Sequence, residues 1–349
     1  MDFALCLLIG VLPVIVLLFV LISLDSYKLV HPREVLRAIA MGSLVAGASY
    51  LIHLGVMEWT DLEARTLARY VAPVIEEIGK ALLIIYLIRA HRLAFIVDAA
   101  IYGFAIGTGF AVVENVYYAL ALSGSHAGIW VVRGFGTAIM HGSTTAIVAI
   151  AARLMADRST GATKDEDRGP RGAFAGSLVI FLPGLAFAIA VHSLFNHFLL
   201  NPVLSTAGAL VALPPVVFAV FRRSESSLRE WLDVGFDADT ELLELIHSGE
   251  LSSTRVGLYL ESLKEHFDGV VVADMLCYLR LHVELALCAK GLLMMKENGF
   301  KVTLEPDVEA RFAELKYLEK TIGLTGRLAM APFLRSGARE VWQLSMLRQ

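Results

Sequence analysis

The chain has 349 residues, of which 56% are hydrophobic and only 18% are charged, and its formal net charge is −4. Soluble domains carry about 25% charged residues, so this composition excludes an ordinary soluble protein. The weak negative charge gives no sign of a nucleic-acid partner. Apolar residues are concentrated before Arg222. The sequence therefore predicts an all-α fold, with a polytopic membrane helix bundle over 1–221 and a soluble helical module over 222–349.

Seven segments are long and apolar enough to cross a bilayer, which takes about 20 mainly apolar residues in a helix. The segment that begins at Phe3 lacks a basic region before it and a small-residue cleavage site after it, so we interpret it as a retained helix rather than a signal peptide. Pro183 and Gly184 predict a kink or tilt in the sixth segment. The predicted spans are about 3–23, 38–56, 70–89, 96–120, 131–152, 173–200 and 203–221.

Basic residues in the short loops predict the orientation of the bundle. Lysines and arginines follow the first, third, fifth and seventh spans, which places them on one side of the membrane. Loops rich in these residues stay in the cytoplasm. We therefore expect the amino terminus outside and the carboxy-terminal module inside. Arg65 and Arg69 in the second loop, and Arg133 at the outer edge of the fifth span, depart from this bias.

Residues 222–349 read as a soluble module without catalytic motifs. Apolar residues recur there at i, i+3, i+4 and i+7, which is typical of amphipathic helices. The three cysteines, Cys6, Cys277 and Cys288, have no metal-binding spacing. We expect this module to lie in the cytoplasm and either to recruit a substrate or to regulate access to the membrane bundle.

Ionisable side chains inside the predicted spans are the strongest functional signal. Each costs several kcal/mol in a bilayer unless it is paired or hydrated, so it marks a functional site by default. With a rise of about 1.5 Å per residue, these side chains all lie about 5–15 Å below the outer surface. The shared depth predicts one water-accessible cavity. The expected catalytic residues are Glu76, Glu77, Glu114, His141 and His192.

Neighbouring glutamates on one helix must play different roles, because their side chains point about 100° apart. Lys80 is four residues from Glu76 and three from Glu77, and a helix allows both pairs. We expect a Glu76–Lys80 ion pair, which leaves Glu77 as the general base.

A metal site and a metal-free site both remain open from the residue types. His192 and Asn196 lie one helical turn apart on one face. Together with Glu114 and His141, they predict either ligands of a divalent metal, with zinc the expected ion, or groups that polarise a carbonyl.

Other polar or small residues of the spans receive structural interpretations. His53, near the outer end of the second span, and His197, near the interface, are interpreted as structural. Asp98 is expected to cap the fourth span or to pair with Arg92. Gly103 and Gly107 form a GxxxG motif, which predicts close helix packing.

Two gapped motifs resemble those of the PrsW intramembrane proteases, a family related to the CAAX prenyl endopeptidases. The sequence VIEEIGK, with Glu76, Glu77 and Lys80, is similar to the family's EExxK motif, and FAVVE, ending at Glu114, is similar to its FxxxE motif. His192 and Asn196 align with the HxxxD motif, with asparagine in place of aspartate. The resemblance covers about residues 40–221 and implies cleavage of a peptide bond within or near the membrane.

The resulting hypothesis is a polytopic membrane endopeptidase of a bacterial plasma membrane. Its implied partners are the lipid bilayer and a membrane-embedded protein substrate, such as an anti-sigma-factor-like regulator. In this mechanism Glu77 activates the water, while Glu76, Glu114, His141 and His192 bind a metal or polarise the carbonyl. The alternatives are a proton- or ion-coupled transporter and an inactive membrane scaffold. The spans show no evident inverted repeat, which counts against the transporter.

Overall fold

The computed structural model consists of helices and the loops that connect them in the residues that it describes, which are 2–122, 126–162, 179–197, 201–300, 307–334 and 338–347. Within these ranges it has eleven helices of nine residues or more and no strand, which confirms the predicted all-α class. The chain divides into two compact units, Met1–Ser224 and Glu225–Gln349.

Seven of these helices lie between residues 3 and 248 of the described chain, and two of them continue from π-helical segments. Leu67–Val71 is π-helical and leads into α3, and Val132–Ala138 is π-helical and leads into α5. Such insertions are rare and are frequent at functional sites. The helices are α1 (Phe3–Ser23), α2 (Pro32–Trp59), α3 (Ala72–Arg89), α4 (Ile96–Ala121), α5 (Ile139–Ala162), α6 (Leu182–Asn196) and α7 (Pro202–Ser248).

Five helical stretches of the described chain are long and apolar enough to cross a membrane. They are Phe3–Ser23, Pro32–Trp59, Ile96–Ala121, Ala127–Ala156 and Val203–Ser248. These stretches cover five of the seven predicted spans.

The other two predicted spans correspond to α3 and α6. Helix α3 has 18 residues, and its apolar character is interrupted by two glutamates and a lysine. Helix α6 has 15 residues, and Pro183 lies in its first turn. The kink expected at Pro183 and Gly184 stays a prediction, because the residues from 163 to 178 lie outside the described ones. Proline fits a first turn because its missing N–H has no partner to lose there. Residues 173–178 and 198–200 of the predicted sixth span lie outside the described residues.

Helix α4 forms the centre of the first unit and is buried along most of its length. Glycines let its backbone touch both neighbouring helices. A Cβ on Gly109 would lie 1.9 Å from the carbonyl oxygen of Ile39 on α2, and a Cβ on Gly107 would lie 2.2 Å from that of His141 on α5. A Cβ on Gly103 would lie 2.6 Å from the Cα of Ala146. The predicted close packing at Gly103 and Gly107 is therefore confirmed.

Asp98 caps the start of α4, which was the first of the two roles predicted for it. Its Oδ2 accepts hydrogen bonds from the backbone N–H groups of Ala94 at 2.9 Å and Phe95 at 3.0 Å. Arg153 Nη1 donates to the carbonyl of Leu93 at 3.2 Å in the same buried loop. Side chains thus satisfy backbone groups that a buried loop would otherwise leave unpaired.

The described part of the second unit contains four further α-helices after residue 248. They are α8 (Arg255–Leu263), α9 (Gly269–Glu297), α10 (Val308–Met330) and α11 (Ala338–Met346). Buried side chains of α9, among them Met275, Leu279 and Leu293, form much of its core. Lys290 is buried in the same unit and forms an ion pair with Asp239.

Candidate metal centre

Three side chains from three helices of the first unit converge at one point. Glu76 on α3, His141 on α5 and His192 on α6 each offer one ligand atom, and these atoms all lie within 4.8 Å of one another. Both histidines are almost completely buried. Two imidazoles and one carboxylate are a donor set of catalytic zinc sites, which keep a fourth position open. The residues therefore fit a divalent metal.

His192 is oriented by a carboxylate from the helix that carries Glu76. Its ring N–H at Nδ1 donates to Glu77 Oε1 at 2.9 Å, and its Nε2 lies 3.8 Å from Glu76 Oε2. A carboxylate on one ring nitrogen fixes the tautomer and leaves the other nitrogen for a metal ion. Glu77 therefore acts on the candidate centre through His192.

His141 has a protein partner on each ring nitrogen. Its Nε2 lies 2.9 Å from Glu114 Oε2, and its Nδ1 lies 3.1 Å from Lys80 Nζ. Since an ammonium group can only donate, the Lys80 contact assigns the ring proton to Nε2, which donates to Glu114. A metal ion that binds His141 must therefore displace one of these two contacts.

Lys80 pairs with Glu77, so the predicted Glu76–Lys80 pair is wrong. Lys80 Nζ lies 2.6 Å from Glu77 Oε1, and both side chains are buried. From this position Lys80 also reaches His141 and lies 4.9 Å from the centre of the Phe110 ring. The three-residue spacing prevails because it directs the ammonium group into the cluster. Glu76 remains available to the histidines.

Glu114 is held from both sides, by His141 and by Arg133, which the sequence indicates only as a charge at the outer edge of the fifth span. Arg133 Nη2 lies 3.3 Å from Glu114 Oε1. Arg133 Nε donates to Asn115 Oδ1 at 2.7 Å, and its guanidinium lies 3.8 Å from the centre of the Tyr118 ring. The only signal in the sequence was an arginine at the edge of an apolar span, where a charge needs a partner.

Asn196 is bound elsewhere, outside the three-residue group. Its Nδ2 donates to the carbonyl of Ala68 at 2.9 Å, and Ser193 Oγ donates to the carbonyl of Arg69 at 2.6 Å. Both carbonyls belong to the π-helical segment before α3. Asn196 thus bonds to the backbone of that segment, and its predicted role as a metal ligand stays a prediction.

The two histidines interpreted as structural differ in their surroundings. His197 Nδ1 donates to the carbonyl of Ser193 at 2.7 Å, and its ring packs edge-on against Tyr70. His53 instead lies beside the candidate centre, with its Nε2 3.9 Å from Glu76 Oε1. Its depth near the outer end of the second span was the signal available in the sequence.

Comparison with known proteins identifies the family. The sequence profile of the PrsW family intramembrane metalloprotease matches residues 31–221. No curated protein and no solved structure is similar enough to the chain to count as a match. The profile match spans more than half of the chain and includes Glu76, His141 and His192. The protein therefore belongs to the PrsW family of intramembrane metalloproteases, which are membrane-embedded peptidases.

Proposed function

We propose that the protein hydrolyses a peptide bond of a membrane-tethered protein at the Glu76–His141–His192 group, with zinc as the metal. The observation that carries this proposal is the convergence of three ligand atoms within 4.8 Å from three separate helices. Random polar substitutions in a membrane bundle would not meet in this way, because each unpaired group is expensive there.

The side chains around the group have separable roles in this proposal. When bound, zinc would supply Lewis-acid polarisation of the scissile carbonyl. Glu77 holds His192 in its tautomer, and Lys80 neutralises Glu77. Glu114 holds His141 through the Nε2 hydrogen bond. All five predicted catalytic residues thus belong to one connected network.

The geometry favours Glu114 over Glu77 as the group that accepts a proton from the attacking water. A general base must reach the water that it activates. Both glutamates have two partners, but the Glu114 side chain is 25% exposed, whereas the Glu77 side chain is 0% exposed, so water can reach Glu114 more readily. The sequence-based assignment of the base to Glu77 is therefore replaced by Glu114 in the proposed mechanism.

The proposed topology has seven spans, with α3 and α6 counted among them. Helix α3 is interrupted by polar residues because it carries the site, and buried polar residues of a membrane helix face the bundle interior. The amino terminus then lies outside, and the second unit lies in the cytoplasm of a bacterium, where it recruits substrate or regulates access. The proposed substrate is an anti-sigma-factor-like regulator whose helix enters between spans and unwinds before cleavage.

Cleavage by the purified protein tests the function. Wild type, Glu76→Gln and Glu114→Gln are compared in detergent on a panel of tagged single-span substrates, with and without a zinc chelator. We expect cleavage by the wild type alone, and loss of that cleavage with the chelator. Equal cleavage by Glu76→Gln and wild type would contradict the proposed site.

A transporter and an inactive scaffold predict other results in the same samples. A scaffold tolerates Glu76→Gln without any change in function. A proton-coupled transporter shows pH-dependent flux in liposomes and no cleavage of any substrate in the panel.

A further inference from the structure

His53 lies against the free side of the Glu76 carboxylate. It belongs to α2, a helix that contributes none of the three residues of the group described above. His53 Nε2 is 3.9 Å from Glu76 Oε1, and His192 Nε2 is 3.8 Å from Glu76 Oε2. One carboxylate therefore lies between two imidazoles, with one ring nitrogen near each oxygen.

The Nε2 atom of His53 is buried and has no hydrogen-bond partner among the described residues. A buried polar atom left without a partner is unfavourable, so such an atom ordinarily binds something. The 3.9 Å separation is too long for a hydrogen bond to Glu76. It is close to the spacing of two ligands on one ion, since tetrahedral zinc bonds of about 2.1 Å place ligand atoms about 3.4 Å apart.

A glycine on α3 explains why α2 comes so close. A Cβ on Gly79 would lie 2.8 Å from Val45 Cγ1 and 3.9 Å from Ser49 Oγ. Gly79 is three residues after Glu76, and Ser49 is four residues before His53. The two helices thus run antiparallel, and the Glu76–His53 contact lies one turn along the same interface. A side chain at residue 79 would press against Val45 on α2, so the glycine leaves room for this contact.

We propose that His53 is a further member of the cation site, where its Nε2 binds the metal ion next to Glu76. The inference rests on the metal-dependent part of the proposed function. The imidazole supplies a neutral nitrogen ligand, which suits zinc, and because a catalytic zinc ion can expand to five ligands, a position for water would remain beside the four side chains. The second span thereby contributes a ligand that none of the recognised motifs contains.

Metal titration of the full-length protein in detergent tests the proposal without relying on activity. Chelator-treated wild type and His53→Gln are titrated with Zn²⁺ against a chromophoric chelator, and with Co²⁺ by visible absorption. We expect His53→Gln to weaken zinc binding at least about tenfold and to change the intensity of the cobalt bands, since a ligand is lost. Unchanged affinity and an unchanged cobalt spectrum would overturn the proposal.

Two further variants separate ligation from folding. His197→Gln is the matched control, because His197 bonds to a backbone carbonyl of its own helix, and we expect it to bind both ions as the wild type does. His53→Cys replaces one zinc ligand by another. We expect it to bind Co²⁺ with a thiolate-to-cobalt charge-transfer band that the wild type lacks. A well-folded His53→Cys protein without that band would also overturn the proposal.

The proposed metal site and the proposed peptidase activity can be contradicted independently of each other. A wild type that binds neither ion overturns the role of His53, whatever the cleavage assay shows. Cleavage by that same metal-free wild type would leave the peptidase function standing. If the wild type binds zinc and His53→Gln binds it equally well, only the role of His53 is lost.

Discussion

Lys80 and Glu77 form an ion pair in the interior of the first unit, with Lys80 Nζ 2.6 Å from Glu77 Oε1 and both side chains almost fully buried. Each charge depends on the other there, because removing one partner of a buried pair leaves an uncompensated charge. The pair also links the two histidines, since Glu77 contacts His192 and Lys80 contacts His141. The ion pair therefore holds the two histidines in place and also balances two of the buried charges of the site.

Replacing Lys80 by methionine should destabilise the protein strongly. The apolar side chain leaves the Glu77 carboxylate buried without a counter-charge, which costs about 3–5 kcal/mol. Thermal unfolding in detergent should show a large drop in Tm. The Lys80→Met/Glu77→Gln double variant should recover part of the loss, and a double-mutant cycle measures the coupling. Additive effects of the two substitutions would contradict the pairing.

Adding one methyl group at Gly107 should disturb the position of His141. The new Cβ would lie 2.2 Å from the His141 carbonyl oxygen, so α4 and α5 must separate. We expect Gly107→Ala to lower the free energy of unfolding by about 1–3 kcal/mol and to reduce cleavage. Gly47→Ala on α2 is the control, because nothing lies within 4 Å of its Cβ. A Gly107→Ala protein that cleaves like the control would refute this packing constraint.

Arg133 should act on the site through Glu114. Arg133→Gln removes the ion pair to Glu114, and Arg133→Lys keeps the charge but loses the fixed geometry of the guanidinium. We expect Arg133→Gln to lower kcat about tenfold or more, and Arg133→Lys to be intermediate. Steady-state kinetics on one tagged substrate separate kcat from KM. An effect on KM alone would indicate a substrate contact instead of positioning.

Asn196 should contribute to folding and not to metal affinity. Its amide holds the carbonyl of Ala68 in the π-helical segment before α3. Asn196→Ala should lower the free energy of unfolding by about 0.5–1.5 kcal/mol, with little change in zinc affinity. His192→Ala should abolish zinc binding in the same titration. Tighter zinc binding by Asn196→Asp would show that residue 196 does reach the ion.

Asp25, in the loop between α1 and α2, should make the stability of the protein depend on pH. Burial raises the pKa of its carboxyl above the ordinary value, although backbone N–H groups of Val30 and Leu29 oppose the shift. The folded state therefore holds the proton more tightly than the unfolded state, and stability falls as the pH rises above about 3.9. Asp25→Asn should raise Tm at pH 7, and the difference should vanish near pH 3. A constant difference would exclude this titration.

Much of this protein could be predicted from its sequence, because the relevant signals are local. A run of apolar residues indicates a membrane helix by its length alone. Motif spacings such as that of Glu76 and Lys80 place side chains along one helix, and the rise per residue gives their depth. The all-α class, the membrane bundle, the family, and the convergence of Glu76, His141 and His192 follow from such signals.

Only the tertiary structure decided which partner each polar group takes. Lys80 could reach either glutamate by helix geometry, and the position of His141 on another helix selected Glu77. Arg133 and His53 each reach a glutamate on a neighbouring helix, and no period in the sequence encodes such distances between helices. Contacts between helices depend on how complete surfaces pack together, so they are determined by the fold and not by any one segment.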